Sequence, residues 1–142
     1  MKRLACALVL LGTSAAIADD APDVIHRPAY TATIRAISAK RLELVVETRA
    51  GYHLNDDYPL HFTPVVSDHV RFEKPRIDRD AMTLAQCTPP NEHLCRASIP
   101  VAFSADGRGW TQLGGVVAFS ACDADQCLIE KVSLSTKVKR LR

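Results

Sequence analysis

The sequence has no apolar run long enough to cross a membrane. Its first apolar stretch, residues 4–11, is far shorter than the roughly 20 residues that a membrane helix needs, and no later segment approaches that length. Lys2 and Arg3 precede this stretch, and the small-x-small sequence of residues 16–18 follows it. Residues 1–18 are therefore predicted to be a cleaved signal peptide. We expect an exported protein, periplasmic or secreted, that does not insert into the membrane.

An excess of charge is also missing once the signal peptide is set aside. Two of the 18 basic residues lie in residues 1–18, and all 16 acidic residues follow, so the remainder carries 16 charges of each sign. Nucleic acids and anionic membranes bind proteins with a basic excess or a basic face. No nucleic-acid partner is expected, and the basic residues of 139–142 are predicted to form a solvated tail.

The common catalytic signatures are absent as well. There is no Gly-x-Ser-x-Gly, no glycine-rich phosphate loop and no pair of histidines with helical spacing. The acidic clusters at residues 55–57 and 123–125 lack the ligand spacing of a calcium loop, and we expect them to serve turns. No cofactor is expected.

Sustained helical periodicity is likewise rare, whereas short runs of period two recur between turn residues. Residues 41–48 place Leu42, Leu44 and Val46 on one face, and residues 128–138 alternate in the same way. Short strands separated by turns every 8–12 residues predict an all-β, single-domain, two-sheet sandwich, with a small barrel as the alternative.

Several local features follow from this pattern. Hairpin turns are predicted around residues 38–40 and 105–109, and residues 76–85 are predicted to be a loop leading into an edge strand. Trp110, Phe119 and Phe72 are expected in the core. The domain is predicted to span residues 29–138, after a flexible lead at residues 19–28 and before the tail at residues 139–142.

Five cysteines are present, and Cys6 would leave with the signal peptide. Four cysteines in an oxidising compartment predict two disulfides, for which three connectivities exist. The sequence neighbours are favoured as partners, which gives Cys87–Cys95 and Cys122–Cys127. Each small loop would contribute roughly 2 to 3 kcal/mol of stability in the chain-entropy model.

The pair Cys122 and Cys127 is joined by a short polar turn between two predicted strands. A disulfide that faces solvent at such a turn can exchange with thiols, whereas a buried one only staples the hairpin. The spacing of Cys122 and Cys127 is compatible with both interpretations.

Two segments together resemble a known family. Residues 50–54 (AGYHL) after an early strand and residues 122–127 (CDADQC) between two late strands are similar to the N-terminal periplasmic domain of the thiol:disulfide interchange protein DsbD. The resemblance spans residues 29–138. It implies an immunoglobulin-like sandwich whose active-site pair, matched by Cys122 and Cys127, cycles between dithiol and disulfide, with Tyr52 lining the site and His53 beside it.

This chain departs from the family in three respects. The membrane and thioredoxin-like domains of DsbD have no counterpart, so a thioredoxin-like protein or a membrane thiol reductant is expected to supply electrons in trans. The cysteine spacing is one residue shorter, and Leu128 and Ile129 replace an aromatic residue and prolines. The family's aromatic cap loop corresponds to residues 86–94, where Cys87 and Cys95 bound a segment without aromatics; this second pair is either a structural staple of the cap loop or itself redox-active.

The acidic neighbours of Cys122 and Cys127 would raise the pKa of a thiol, which suits a pair that is attacked by a partner's thiolate. The more exposed cysteine, expected to be Cys127, would form the mixed disulfide. Two alternatives remain: a non-catalytic module in which both disulfides are staples, and a zinc or copper site built from Cys87, His93 and Cys95 with Cys122 or Cys127. The protein is expected to be a monomer.

Overall fold

The computed structural model describes residues 21–89 and 91–140, so the predicted signal peptide and Cys6 lie outside the described residues. This part of the chain holds eleven strands and one 3₁₀ turn. In chain order the strands are β1 (Val24–His26), β2 (Tyr30–Ser38), β3 (Arg41–Thr48), β4 (His53–Leu54), β5 (His61–Pro64), β6 (Val70–Phe72), β7 (Ile77–Asp78), β8 (Thr83–Gln86), β9 (Leu94–Ala105), β10 (Gly109–Cys122) and β11 (Cys127–Arg140), with the 3₁₀ turn (Arg79–Ala81) before β8.

The strands form an antiparallel, immunoglobulin-like sandwich, which confirms the predicted all-β, single-domain fold. One layer has the order β1-β2-β3-β9, and β8 and β6 pair with the far side of β9. In the other layer β10 lies between β11 and the two strands β4 and β5, and β7 lies beyond β5. Strand β4 pairs with both layers, since Leu54 lies opposite Leu94 of β9 and Ala121 of β10.

Alternating residues of both layers build the core. Leu42, Leu44 and Val46 of β3 are fully buried, as their spacing predicts. Tyr30 of β2 meets Phe119 of β10 edge to face, with ring centroids 4.8 Å apart, and so joins the two layers. Such pairs stabilise a core beyond the apolar area they bury.

The prediction of Trp110 as a core residue is wrong. Its side chain is 66 % exposed, whereas Phe119 is buried and Phe72 is half-buried. Trp110 lies opposite Lys139, and the two-residue period of the strand directs it away from the core face on which Leu113 lies.

The predicted hairpin at residues 105–109 is also wrong, although the predicted glycine conformation is confirmed. Gly107 and Gly109 have φ values of 81° and 91°, in the left-handed region. The strands on either side do not pair within the described residues, because β9 pairs with β3, β4, β6 and β8 while β10 pairs with β11, β4 and β5. The turn therefore carries the chain from one layer to the other.

Regular structure continues beyond residues 29–138 at both ends. Residues 21–28 contain β1, and the carbonyl oxygen of Pro22 accepts a hydrogen bond of 3.0 Å from the amide of Ser135. Lys139 and Arg140, expected in the tail, belong to β11. Residues 76–85, predicted to be a loop, hold β7, the 3₁₀ turn and most of the edge strand β8. The charged composition of this stretch gave no clear strand pattern.

No helix among residues 21–89 and 91–140 has the length and hydropathy that a membrane span requires.

Candidate functional site

The four cysteines of the described chain form two disulfides. Cys87 bonds to Cys95 with their Cα atoms 4.7 Å apart, and Cys122 bonds to Cys127 with their Cα atoms 4.0 Å apart. The predicted pairing of sequence neighbours is confirmed.

The Cys122–Cys127 disulfide closes the longest hairpin of the fold. Cys122 is the last residue of β10, and Cys127, the first residue of β11, lies directly opposite it. Between them Asp123 organises the turn, because its carboxylate accepts 2.8 Å hydrogen bonds from the amides of Asp125 and Gln126. These bonds hold the pKa of Asp123 below its ordinary value. The predicted turn role of this acidic cluster is confirmed for Asp123.

The two cysteines of this disulfide differ in exposure. Cys122 is 4 % exposed, whereas Cys127 is exposed to solvent. Their register places both side chains on the face of β10 and β11 opposite to that of the core residues Val117 and Val132. The bridge therefore joins a sheltered residue to one that a macromolecular partner can reach.

Exposed apolar residues follow Cys127 directly. Leu128 is 37 % exposed, and Ile129, which shares a strand face with Cys127, is 65 % exposed. Because consecutive strand residues point to opposite faces, Ile129 is the exposed apolar side chain on the face of Cys127, whereas Leu128 lies on the other face.

His53 lies on the other side of Cys122. It pairs with Cys122 in the register of β4 and β10, so the two side chains are cross-strand neighbours on one face. Its imidazole stacks on that of His93, with ring centroids 4.0 Å apart and an angle of 18° between the planes. Burial, followed by the charge of His93, lowers the pKa of His53, and Asp56 acts in the opposite direction. The arrangement favours a neutral His53.

The Cys87–Cys95 disulfide lies in a cleft of about 700 Å³, to which Tyr52, His53 and His93 also contribute. Sγ of Cys95 is 3.4 Å from the carbonyl oxygen of Tyr52. The amide of Cys87 donates a 3.1 Å hydrogen bond to the carbonyl oxygen of His93, and the amide of His93 donates one of 2.8 Å to Oδ1 of Asn91. Of the two residues predicted to line the site, Tyr52 therefore contacts the second disulfide, while His53 lies between the two.

The predicted metal ligands do not converge. Within residues 21–89 and 91–140 no group of three or more histidine, cysteine or acidic side chains has the geometry to hold a metal ion. The four cysteines of the proposed ligand set are paired as disulfides instead.

The sequence did not indicate the stack of His53 on His93. His93 was predicted only as a possible metal ligand, because its contact with His53 joins β4 to the segment before β9 and depends on the tertiary fold.

No protein-family model, curated protein or solved structure matches the chain.

Proposed function

We propose that this chain is an exported thiol–disulfide exchange protein, in which Cys122 and Cys127 pass electrons from a thioredoxin-like donor to disulfide-bonded proteins. The observation that carries the proposal is the asymmetry of the bridge, with Cys127 exposed at the end of a hairpin and Cys122 sheltered beside it. Exchange requires a sulfur that an attacking thiolate can approach.

The reaction proceeds by two displacements. A donor thiolate attacks Sγ of Cys127, the Cys122–Cys127 bond breaks, and its electron pair leaves on Sγ of Cys122, which takes up a proton. The second donor thiolate then attacks the donor sulfur of the mixed disulfide and releases Cys127. The donor leaves as a disulfide, the protein leaves as a dithiol, and the reverse sequence reduces a client disulfide.

Ile129 supplies a contact that such a partner needs. An incoming thiolate has to stay near Cys127 long enough to react, and an apolar side chain at the centre of a small interface contributes strongly to affinity. Its exposure on the face of the reactive cysteine supports a protein partner rather than a free thiol at this bridge.

We retain the resemblance to the N-terminal domain of DsbD as part of this proposal. The two sequence segments on which that resemblance rests meet in space, since His53 from one lies opposite Cys122 from the other. We include in the proposal the periplasmic setting, and a thioredoxin-like protein or membrane thiol reductant as the electron source in trans.

A trapping experiment tests the proposal. The variants Cys122→Ser and Cys127→Ser are each mixed with a single-cysteine thioredoxin activated as its thionitrobenzoate mixed disulfide. The first variant keeps the exposed Cys127, and we expect it to form the covalent complex at least about tenfold faster. In denaturant both variants should react at the same rate, which controls for intrinsic thiol reactivity. Equal trapping of both folded variants, or trapping of neither, contradicts the proposal.

A non-catalytic module with two structural disulfides is the second candidate. The burial of Cys122 favours it, since a sheltered bridge at the end of a long hairpin acts as a staple. The reduction potential of each disulfide distinguishes the two functions: values below about −300 mV for both would mark them as structural.

A further inference from the structure

The cleft beside the Cys87–Cys95 disulfide has the size and shape of a small-molecule site. Its volume of about 700 Å³ falls within the roughly 300–1,000 Å³ typical of ligand pockets. Both cysteines line it and are only half-buried, so a small molecule in the cleft can touch the disulfide. The disulfide is thus part of the wall of a cavity, which a hairpin staple does not require.

The charge of the lining favours an anion. Among the described residues that line the cleft, three side chains are charged at neutral pH irrespective of the histidines: Glu47, Arg49 and Arg96. Arg96 is neutralised by Glu47 at 2.8 Å, whereas Arg49 has no carboxylate within 4.0 Å among the described residues. Two imidazoles add hydrogen-bond donors. One guanidinium therefore remains for a ligand's carboxylate, which it can bind in a bidentate manner.

The surroundings of Cys95 suit a leaving group. A disulfide sulfur carries no proton, so the 3.4 Å approach of Cys95 Sγ to the carbonyl oxygen of Tyr52 is not a hydrogen bond in the oxidised protein. Once Cys95 is a thiol, its S–H can donate to that oxygen. The contact thus becomes favourable only when the Cys87–Cys95 bond is broken, and solvent, to which the half-buried cysteines are open, can deliver the proton.

We infer that this cleft is a second thiol-exchange site, which binds a small anionic thiol through Arg49 and presents Cys87 to it. The ligand's thiolate attacks Sγ of Cys87 and forms a mixed disulfide. The Cys87–Cys95 bond breaks, and its electron pair and a proton go to Cys95. A second thiolate attacks the ligand sulfur of the adduct and releases Cys87, so two small thiols become one small disulfide while the protein gains a dithiol.

This inference does not depend on exchange at Cys122–Cys127, and the test separates the two sites. The purified protein is incubated with glutathione, whose carboxylates outnumber its amine, or with cationic cysteamine at the same thiolate concentration. Free thiols are then alkylated, and adducts are mapped by mass. We expect an adduct on Cys87 that forms several-fold faster with glutathione, and a preference that weakens at high salt. The double variant Cys122→Ser/Cys127→Ser should form the same adduct.

Arg49→Gln tests the anion site. We expect it to slow the reaction with glutathione several-fold and to leave the reaction with cysteamine unchanged. The matched control Arg108→Gln, at the turn between β9 and β10 and outside the cleft, should react like the unmodified protein. Equal rates with the two thiols, an adduct on Cys95 in place of Cys87, or a Cys87–Cys95 bond that stays closed would each overturn the inference, whatever happens at Cys122–Cys127.

Discussion

His53 and His93 stack with their ring centroids 4.0 Å apart, and His53 lies between the two disulfides. His53 lies opposite Cys122 in the sheet, while His93 lies in the segment that Cys87 and Cys95 close. Only a neutral pair, or one with a single proton, stacks without repulsion between like charges.

Stability should fall as the pH drops below about 6.5. The pKa of His53 is lowered from its ordinary 6.5, chiefly by burial and then by His93, so the unfolded chain binds a proton before the native protein does. Protonation of the unfolded state then favours unfolding, and the effect grows until the pH passes the native pKa. Urea unfolding at pH 7.5 and pH 5 measures this loss of stability. His53→Asn should reduce this pH dependence, whereas His26→Asn, at an exposed position in β1, should leave it unchanged.

The free energy of unfolding at alkaline pH should depend on Tyr30. Burial, and next the charge of Glu130, raise the pKa of its hydroxyl to about 12, and this hydroxyl donates a 3.3 Å hydrogen bond to the Glu130 carboxylate. Because the unfolded tyrosine ionises near pH 10, the native state loses this contribution as the pH rises from 10 towards 12. Tyr30→Phe should cost about 1 kcal/mol at pH 7, measured by urea unfolding. A variant that loses stability above pH 10 as steeply as the unmodified protein would contradict this role.

Asp123 should matter for the hairpin through its acceptor oxygen more than through its charge. Asp123→Ala removes the acceptor for the amides of Asp125 and Gln126, so we expect a lower melting temperature. Asp123→Asn keeps an acceptor oxygen and should retain most of the stability. The part of this contribution that comes from the negative charge should be lost as the pH falls through the lowered pKa of Asp123, below 3.8. Asp125→Ala is the matched control, because only the backbone amide of Asp125 takes part in these bonds.

Ile129 should govern the rate of exchange with a protein donor. Ile129→Asp places a charge on the apolar surface beside Cys127, and we expect the second-order rate constant for reduction by thioredoxin to fall about tenfold, equivalent to about 1.4 kcal/mol. Reduction by dithiothreitol, which needs no docking, should be unaffected. Val66→Asp makes the same change at an exposed site on another segment and serves as the control. If both variants slow thioredoxin equally, Ile129 has no docking role.

The sequence revealed the parts of the fold that depend on local order. Strand β3 was predictable because alternate side chains in one segment suffice to identify its buried face, and the disulfides join cysteines close in sequence. The position of Trp110 was not, because one aromatic residue beside a turn does not show which face of the strand lies on the core. The pairing of His53 with Cys122 and its stacking on His93 depend on where the short strand β4 inserts, and no local pattern encodes that.

Strand β4 has two residues, and they connect the surroundings of the two disulfides of the described chain. His53 borders Cys122 and stacks on His93, while Leu54 pairs with Leu94, the residue before Cys95. Any change that opening one bond imposes on β4 therefore reaches the other bond. By thermodynamic linkage the effect is mutual: if reducing Cys87–Cys95 shifts the free energy for reducing Cys122–Cys127, the second reduction shifts the first by the same amount.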